Sequence, residues 1–361
     1  MFRSFVWGGF EGASHKRADR QRVDAVAGSG HDRWAALDHA ILRGLGLRTA
    51  REALRWHRIE HQPGQYDWNS AEAQIEGAAA ASSEVIWDIC HWGVPDHVDV
   101  MSPDWPERLA DFAAAAARWI RSKDVRVGGW VPINEIAFWA WAGGSAGGFA
   151  PYLHGSGDAF KHQLMLGHLA VVQGLRAVGA SEPVLLCEPL IWAVPHAGRP
   201  ESVAEAEDLI ESSFHAVHWL LAQDPACIQL LGLNYYPHNQ WEAGGPQLSR
   251  ADPRHRPLSA LLCDVARRFP GLPLALAETG AEEPSGDAWL ADIAAEVAAA
   301  MAAGVDLRGV CIYPVMDYAG WDDERHCPCG PIGQRQGRRF VRQGQRAAIR
   351  ELQALEPDPL A

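Results

Sequence analysis

Apolar and β-branched residues gather in eight short segments of the chain. They are SFVWGG (4–9), RTAREAL (48–54), EVIWDIC (84–90), VGGWVPI (127–133), EPVLLCE (182–188), IQLLGLNY (228–235), LPLALAE (272–278) and RGVCIYP (308–314). Their centres recur every ~43 residues, room for a strand, a helix and two connections. The stretches between them are Ala-rich and place apolar residues at i, i+3 and i+4, as in DRWAALDHAILRGLG (32–46), WPERLADFAAAAARWIRS (105–122) and WLADIAAEVAAAMAAG (289–304). The first and last of these end at Gly46 and Gly304, the position of a left-handed helix cap. Strand and helix alternating eight times, with no linker or break in composition, predict a single (β/α)8 barrel across residues 1–361. A doubly wound open sheet shares the alternation, but SFVWGGFEGA is not the GxGxxG phosphate turn such sheets often carry.

Composition narrows the partners. The 361 residues carry a formal charge of −13, the wrong sign for a nucleic-acid or anionic-membrane binder. No run reaches the ~18 apolar residues of a membrane span. MFRSFVWGGFEGASHKRADR has neither a continuous apolar core nor a small-residue cleavage site, so no secretory leader is expected. The 7 cysteines lie mostly inside apolar runs, which predicts reduced, buried thiols in a cytoplasmic protein. Cys327 and Cys329 flank one proline beside His326; one CxC without a second pair is a weak zinc signal, and no metal is expected. Tryptophan is over-used, with 16 residues against 6 Tyr and 10 Phe. A Trp-heavy core and a carbohydrate-stacking mouth are the two explanations.

Barrel active sites sit at the C-terminal ends of the strands. There the chain places Arg51, His91, Asn134 with Glu135, Glu188, Asn234 with Tyr236, Glu278 and Asp317. Glu135 and Glu278 each follow an uncharged apolar run, which puts both at the barrel mouth. Two carboxyls facing each other in a partly desolvated cleft are what glycosidic bond cleavage needs: one protonated to donate, one ionised to attack. The competing reading of each Glu is a helix cap. Arg51 is a suitable counter-ion. Asn234 and Tyr236 lie two apart and so share one face, where a phenol can orient a carboxylate; a core tyrosine is the alternative. Glu188 either contacts substrate or pairs with His196 or an arginine.

These residues, in this order, resemble family 1 glycoside hydrolases, the β-glucosidase type, within a clan of retaining (β/α)8 enzymes. FVWGGFEGA resembles the family's opening strand with its QIEGA motif, and REALRWHRI its RFSISWSRI. WDICHWGVPDHV resembles LxHWDxP, WVPINEIAFW resembles TxNEP, and LLGLNYYPHNQW is very close to LGxNYY. LPLALAETGA resembles PxxITENG, and YPVMDYAGW resembles WSLxDNFEW. The resemblance implies that Glu135 is the acid/base, Glu278 the nucleophile, Tyr236 its partner and Asn134 the 2-hydroxyl contact. It also implies sugar-binding roles for Arg51, His91, Trp92, Asn234 and Trp321, with Trp321 as a stacking platform. No cofactor is implied. The expected partner is a small glycoside or oligosaccharide.

The departures fall on sugar recognition. Where the family has a sugar-binding Gln and Glu, this chain has Gly9 and Gly320. Open space there would admit a bulkier sugar, unless Glu11, Asp322, Asp323, Glu324 or Arg325 substitutes. Three functions remain in view: a hydrolytic retaining β-glycosidase, a transglycosidase using the same glycosyl-enzyme, and a non-catalytic sugar-binding barrel. Trp139, Trp141, Trp192 and Trp241 are expected to line an aromatic mouth suited to an apolar acceptor.

Overall fold

A computed structural model describes residues 2–356. All eight expected segments are strands: β1 Val6–Gly9, β2 Thr49–Ala53, β3 Glu84–Cys90, β4 Arg126–Ile133, β5 Leu185–Pro189, β6 Leu230–Asn234, β7 Leu274–Thr279 and β8 Leu307–Ile312. They form one parallel sheet in the order β4-β3-β2-β1-β8-β7-β6-β5. Isolated parallel bridges at Trp130–Val184 and Asn134–Cys187 close β4 onto β5. The principal helices alternate with the strands: α1 His31–Gly44, α2 Asn69–Ala81, α3 Trp105–Arg121, α4 Gly157–Ala177, α5 Ser202–Gln223, α6 Leu258–Arg268, α7 Gly286–Ala302 and α8 Gln343–Gln353. Gly46 and Gly304 have φ of +84° and +91°, as their cap positions require. No helix among the described residues is long and apolar enough to cross a membrane.

Burial on both faces explains why the strands read as apolar runs. Trp7, Ile86, Val131, Leu185, Cys187, Leu230, Ala275, Ala277, Cys311 and Tyr313 fill the barrel interior. A larger layer lies between strands and helices. Trp7, Trp56, Trp87, Trp105, Trp130 and Trp139 are all fully buried, so much of the tryptophan excess is core. All seven cysteines are unpaired and all but Cys263 are buried.

Strand alternation sorts two neighbouring charges to opposite faces of β2. Arg51 points into the barrel, and Glu52 points out under α1. Outside, Glu52 Oε1 meets His31 Nε2 and His39 Nε2, both at 2.9 Å, and its Oε2 accepts from Gln74 Nε2 at 2.7 Å. His31 Nδ1 also meets Asp38 Oδ2 at 2.9 Å, and Arg339 Nε donates to Asp38 Oδ1 at 2.8 Å. Burial opposes a charge on His31, but the Glu52 and Asp38 carboxylates outweigh it and push the imidazole up to about 9. Arg339 belongs to the hairpin Ile332–Arg335/Arg338–Val341, so this ionic cluster ties the late chain to α1.

One expectation fails beyond β8. Asp317 does not present its carboxylate at the mouth. It accepts from the amides of Cys329 (3.0 Å) and Gln334 (2.7 Å) and from Arg342 Nη2 (2.7 Å), holding the loop between two hairpins. A carboxylate with three donors inside a loop is a local organiser.

Candidate active site

Arg51 is the hub of the site, 1% exposed at the centre of β2. Its Nε and Nη2 donate to Asp88 Oδ1 and Oδ2, each at 2.9 Å, a bidentate pair with the inward-facing aspartate of β3. Nη2 also donates to Asn134 Oδ1 at 2.7 Å, and Nη1 to Glu278 Oε1 at 2.8 Å. One guanidinium thus joins β2, β3, β4 and β7. Burial alone would raise the Asp88 carboxyl, but Arg51 and His91 hold it below the ordinary carboxylate range. Asp88 was not singled out from the sequence; its signal was the lone charge inside VIWDIC.

His91 follows β3 and lies with Nδ1 2.9 Å from Asp88 Oδ2 and Nε2 3.0 Å from Asn134 Nδ2. Since the Asn134 amide donates to Nε2, the imidazole hydrogen is assigned to Nδ1, donating to Asp88. Trp92 Nε1 donates to Asn134 O at 2.8 Å. Asn134 is therefore held by Arg51, His91 and Trp92.

The two glutamates stand in contrasting surroundings. Glu278, at the end of β7, accepts from Arg51 on Oε1 and from Tyr236 Oη on Oε2 at 2.7 Å. Burial and then the Glu278 charge raise the Tyr236 phenol well above its usual range, so it remains a donor. Glu135 accepts from Asn234 Nδ2 at 2.8 Å. Burial and then the charge of Glu278 raise Glu135 well above ordinary carboxylate values, and the Asn234 hydrogen bond only partly offsets this. Its backbone is left-handed, with φ +45°, and Trp92 is left-handed too at φ +65°. Such conformations cost ~1–3 kcal/mol each and cluster at functional sites.

Glu188, at the end of β5, pairs with neither His196 nor an arginine. Its Oε2 accepts from the Ala137 amide at 3.0 Å, capping the turn Ile136–Trp139 that follows Glu135, while Oε1 is buried without a partner. His196 instead faces Glu242.

The glycines part ways: Gly9 leaves no open space, whereas Gly320 is bordered only by the tip of an exposed carboxylate. A Cβ on Gly9 would lie 2.2 Å from Tyr313 Cδ2, so that ring occupies the position. A Cβ on Gly320 would lie 2.8 Å from Asp323 Oδ1. Among the suggested substitutes, Asp322, Asp323, Glu324 and Arg325 are exposed, and Arg325 is engaged by Glu282 at 2.6 Å. Glu11 alone is buried near the site; burial raises its carboxyl, which is 3.4 Å from Tyr313 Oη. His15 was also missed by sequence reasoning. It is fully buried against Phe149, Trp92 and Trp321, both its ring nitrogens lack partners, and burial pushes it down to about 3.

The expected aromatic mouth is only partly present. Trp139 is 1% exposed and donates to Ala150 O, so it belongs to the core. Trp192 and Trp241 are half-buried, and Trp141 is 58% exposed. Trp321 meets Trp92 edge-on at 5.2 Å, and its indole nitrogen is buried without a partner.

No protein-family model matches the chain. It is 26% identical to thermostable β-glucosidase B of Thermobispora bispora, an alignment covering 81% of this chain and 75% of that protein. Among solved structures, the AHE enzyme of Alicyclobacillus herbarius superimposes with a TM-score of 0.79 at 17% identity, covering 98% of this chain and 99% of the other. The family 1 β-glucosidase of Thermotoga maritima gives 0.79 at 15% identity, with 98% of each chain covered. The same protein in complex with glucoimidazole gives 0.78 at 15% identity, with 97% and 98% covered. The structural likeness establishes the (β/α)8 fold, and with the sequence match the chain is a glycoside hydrolase. Within that class its likeness in sequence and in fold is to β-glucosidases.

Proposed function

We propose that the chain is a retaining β-glycosidase that hydrolyses small β-linked glycosides by double displacement. Glu278 attacks the anomeric carbon as the glycosidic C–O bond breaks, and Glu135 gives its proton to the departing oxygen. Water then attacks the glycosyl-enzyme, passing a proton to Glu135 and releasing Glu278. The observation that carries this reading is the asymmetry of the pair: Arg51 and Tyr236 each hold one oxygen of Glu278, while burial raises Glu135. A group held as a proton donor beside an oriented carboxylate is the division of labour the reaction demands.

Arg51, His91, Trp92, Asn134, Asn234, Tyr236 and Trp321 surround the sugar in this reading. A structural neighbour binds glucoimidazole, which supports a sugar-sized ligand. The seven unpaired thiols suit a reducing, cytoplasmic setting. Transfer to an alcohol acceptor uses the same intermediate, and the exposed Trp141 favours an apolar one.

The test is an activity screen on aryl β-glycosides of several sugars, with Glu278→Ala as the control. Wild type should release the aryl group from at least one sugar with net retention at the anomeric carbon, and the variant should lose turnover. Added alcohols separate transfer from hydrolysis. A crystallographic carboxyl separation of ~5–5.5 Å between Glu135 and Glu278 is expected; one near ~8 Å is the inverting geometry and rejects the mechanism.

A further inference from the structure

Glu135 stands at the N-terminus of the short helical turn Ile136–Trp139, yet its side chain makes no cap there. The first amides of a helical turn have no partner within it, and a polar side chain at its N-terminal residue commonly folds back to accept from them. Here the Glu135 carboxyl points elsewhere, accepting from Asn234 Nδ2 at 2.8 Å. The cap comes from another strand. Glu188 Oε2, on β5, accepts from the Ala137 amide at 3.0 Å, and the Ile136 amide also faces this carboxyl.

Two neighbouring positions of β5 therefore straddle Glu135. Its own amide donates to Cys187 O at 2.9 Å, and the amide two residues on donates to Glu188. Between these anchors the Glu135 backbone is left-handed, with φ +45° and ψ +68°. A non-glycine residue keeps such a conformation only where its surroundings fix it. The far end of the turn is fixed by Trp139, which is buried and donates to Ala150 O at 2.9 Å. Glu188 Oε1 is buried without a partner, so the bond to the turn is the one this side chain makes.

Resting on the reading of Glu135 as proton donor, we propose that Glu188 is the positioning residue of that donor: it caps the turn in Glu135's place and leaves the Glu135 carboxyl free to face the leaving oxygen. Without an acceptor at position 188 the first amides of the turn lose their partner. The Glu135 carboxyl, on the turn's own N-terminal residue, is then the group that folds back onto them. A donor folded onto its own turn no longer reaches the departing oxygen. Attack by Glu278 is untouched, because Arg51 and Tyr236 hold that carboxylate from β2 and from the loop after β6. The loss is therefore selective: a poor leaving group needs the proton, whereas a strongly acidic phenol departs without it.

Phenyl and 2,4-dinitrophenyl β-glycosides of a sugar that wild type cleaves test this, because kcat/KM reports the step in which the glycosidic bond breaks. Glu188→Met keeps the volume and removes the oxygen acceptor. It should lower kcat/KM for the phenyl substrate about 10–100-fold and for the dinitrophenyl substrate less than about threefold. Glu188→Gln, which keeps an acceptor, should restore most of the loss. Equal losses on both substrates, the mark of a merely structural cap, or no loss on either, overturn the proposal. Glu135→Ala separates it from the underlying reading. A split between substrates in Glu135→Ala without one in Glu188→Met overturns the proposal alone; no split in Glu135→Ala removes the donor reading and the proposal together.

The crystal structure of Glu188→Met decides without turnover. A Glu135 carboxyl on the Ala137 amide supports the proposal, and one still on Asn234 overturns it. Glu188→Asn, too short to reach the amide, is read in the same way if the methionine variant does not fold.

Discussion

Replacing Glu188 by glutamine should stabilise the protein at neutral pH. The side chain is 1% exposed, and burial moves it from an ordinary 4.5 to about 8, opposed by the Ala137 amide and by Lys161. Lys161 is itself taken up by Ser212, donating to its carbonyl at 3.0 Å and its hydroxyl at 2.7 Å. At pH 7 the folded protein keeps the Glu188 proton and the unfolded chain releases it. Folding then carries a penalty of up to about 3 kcal/mol from this group, at ~1.4 kcal/mol per pH unit above the unfolded pKa. Glutamine has the same shape, can still accept from the Ala137 amide and does not titrate. Partial solvent relaxation reduces the full figure, so a gain of roughly 1–3 kcal/mol is expected at pH 7. The sign follows from a raised carboxyl: the penalty is absent below the unfolded pKa, grows as pH rises, and levels off above about 8. Urea unfolding of both proteins at half-unit steps from pH 4 to 8.5 measures it. The difference should be near zero at pH 4 and widen with pH. A difference independent of pH, or a variant less stable at pH 7, refutes the reasoning; either would mean that Glu188 is ionised and paired with Lys161.

Tyr236→Phe removes one donor from Glu278 and should lower kcat by roughly 10–100-fold, the worth of a hydrogen bond to a charged group; a rise in KM at constant kcat would make Tyr236 a binding residue only. Gly9→Gln should cost about 3 kcal/mol in urea unfolding, because the new Cβ enters the Tyr313 ring, and adding Tyr313→Ala should recover part of it. The His31–Glu52 cluster should bound stability on both sides. A raised imidazole contributes fully below its unfolded pKa and loses that contribution as pH climbs through about 9. Glu52, held well below its usual range after burial is outweighed by His31 and His39, contributes above the unfolded carboxylate pKa and loses it in acid. In His31→Gln the decline between pH 7 and 10 should disappear, along with several kcal/mol of stability at pH 7; a variant retaining the wild-type slope would contradict the assignment.

The barrel was legible because each strand is buried on both faces and written as an apolar run, as in LLGLN and LALAET. The glutamates were legible because they interrupt such runs at the mouth. What stayed hidden depends on which side chains meet across the barrel. Arg51 and Glu52 are adjacent in sequence yet serve clusters on opposite faces, and no spacing rule brings Arg339 to Asp38. Gly9 read as a vacancy because its occupant, Tyr313, lies 304 positions along the chain. Glu188 read as a substrate or ion-pair residue, since its actual partner is a main-chain amide.

The junction of β4 with β5 has a dynamic consequence. Their union rests on isolated bridges at Trp130–Val184 and Asn134–Cys187, and the Glu135 amide reaches across it to Cys187 O at 2.9 Å. Glu135 is thus mounted on the barrel's most lightly stitched line, while Glu278 lies within β7, paired with Asn234 of β6 just past a register shift and held by Arg51 and Tyr236. Local opening should start at this line. Amide deuteration at Glu135 and Ala137 should then outpace that of β7, and a ligand spanning both carboxyls should slow it selectively. On this expectation Glu135 breathes with the seam, while Glu278 stays clamped by Arg51 and Tyr236.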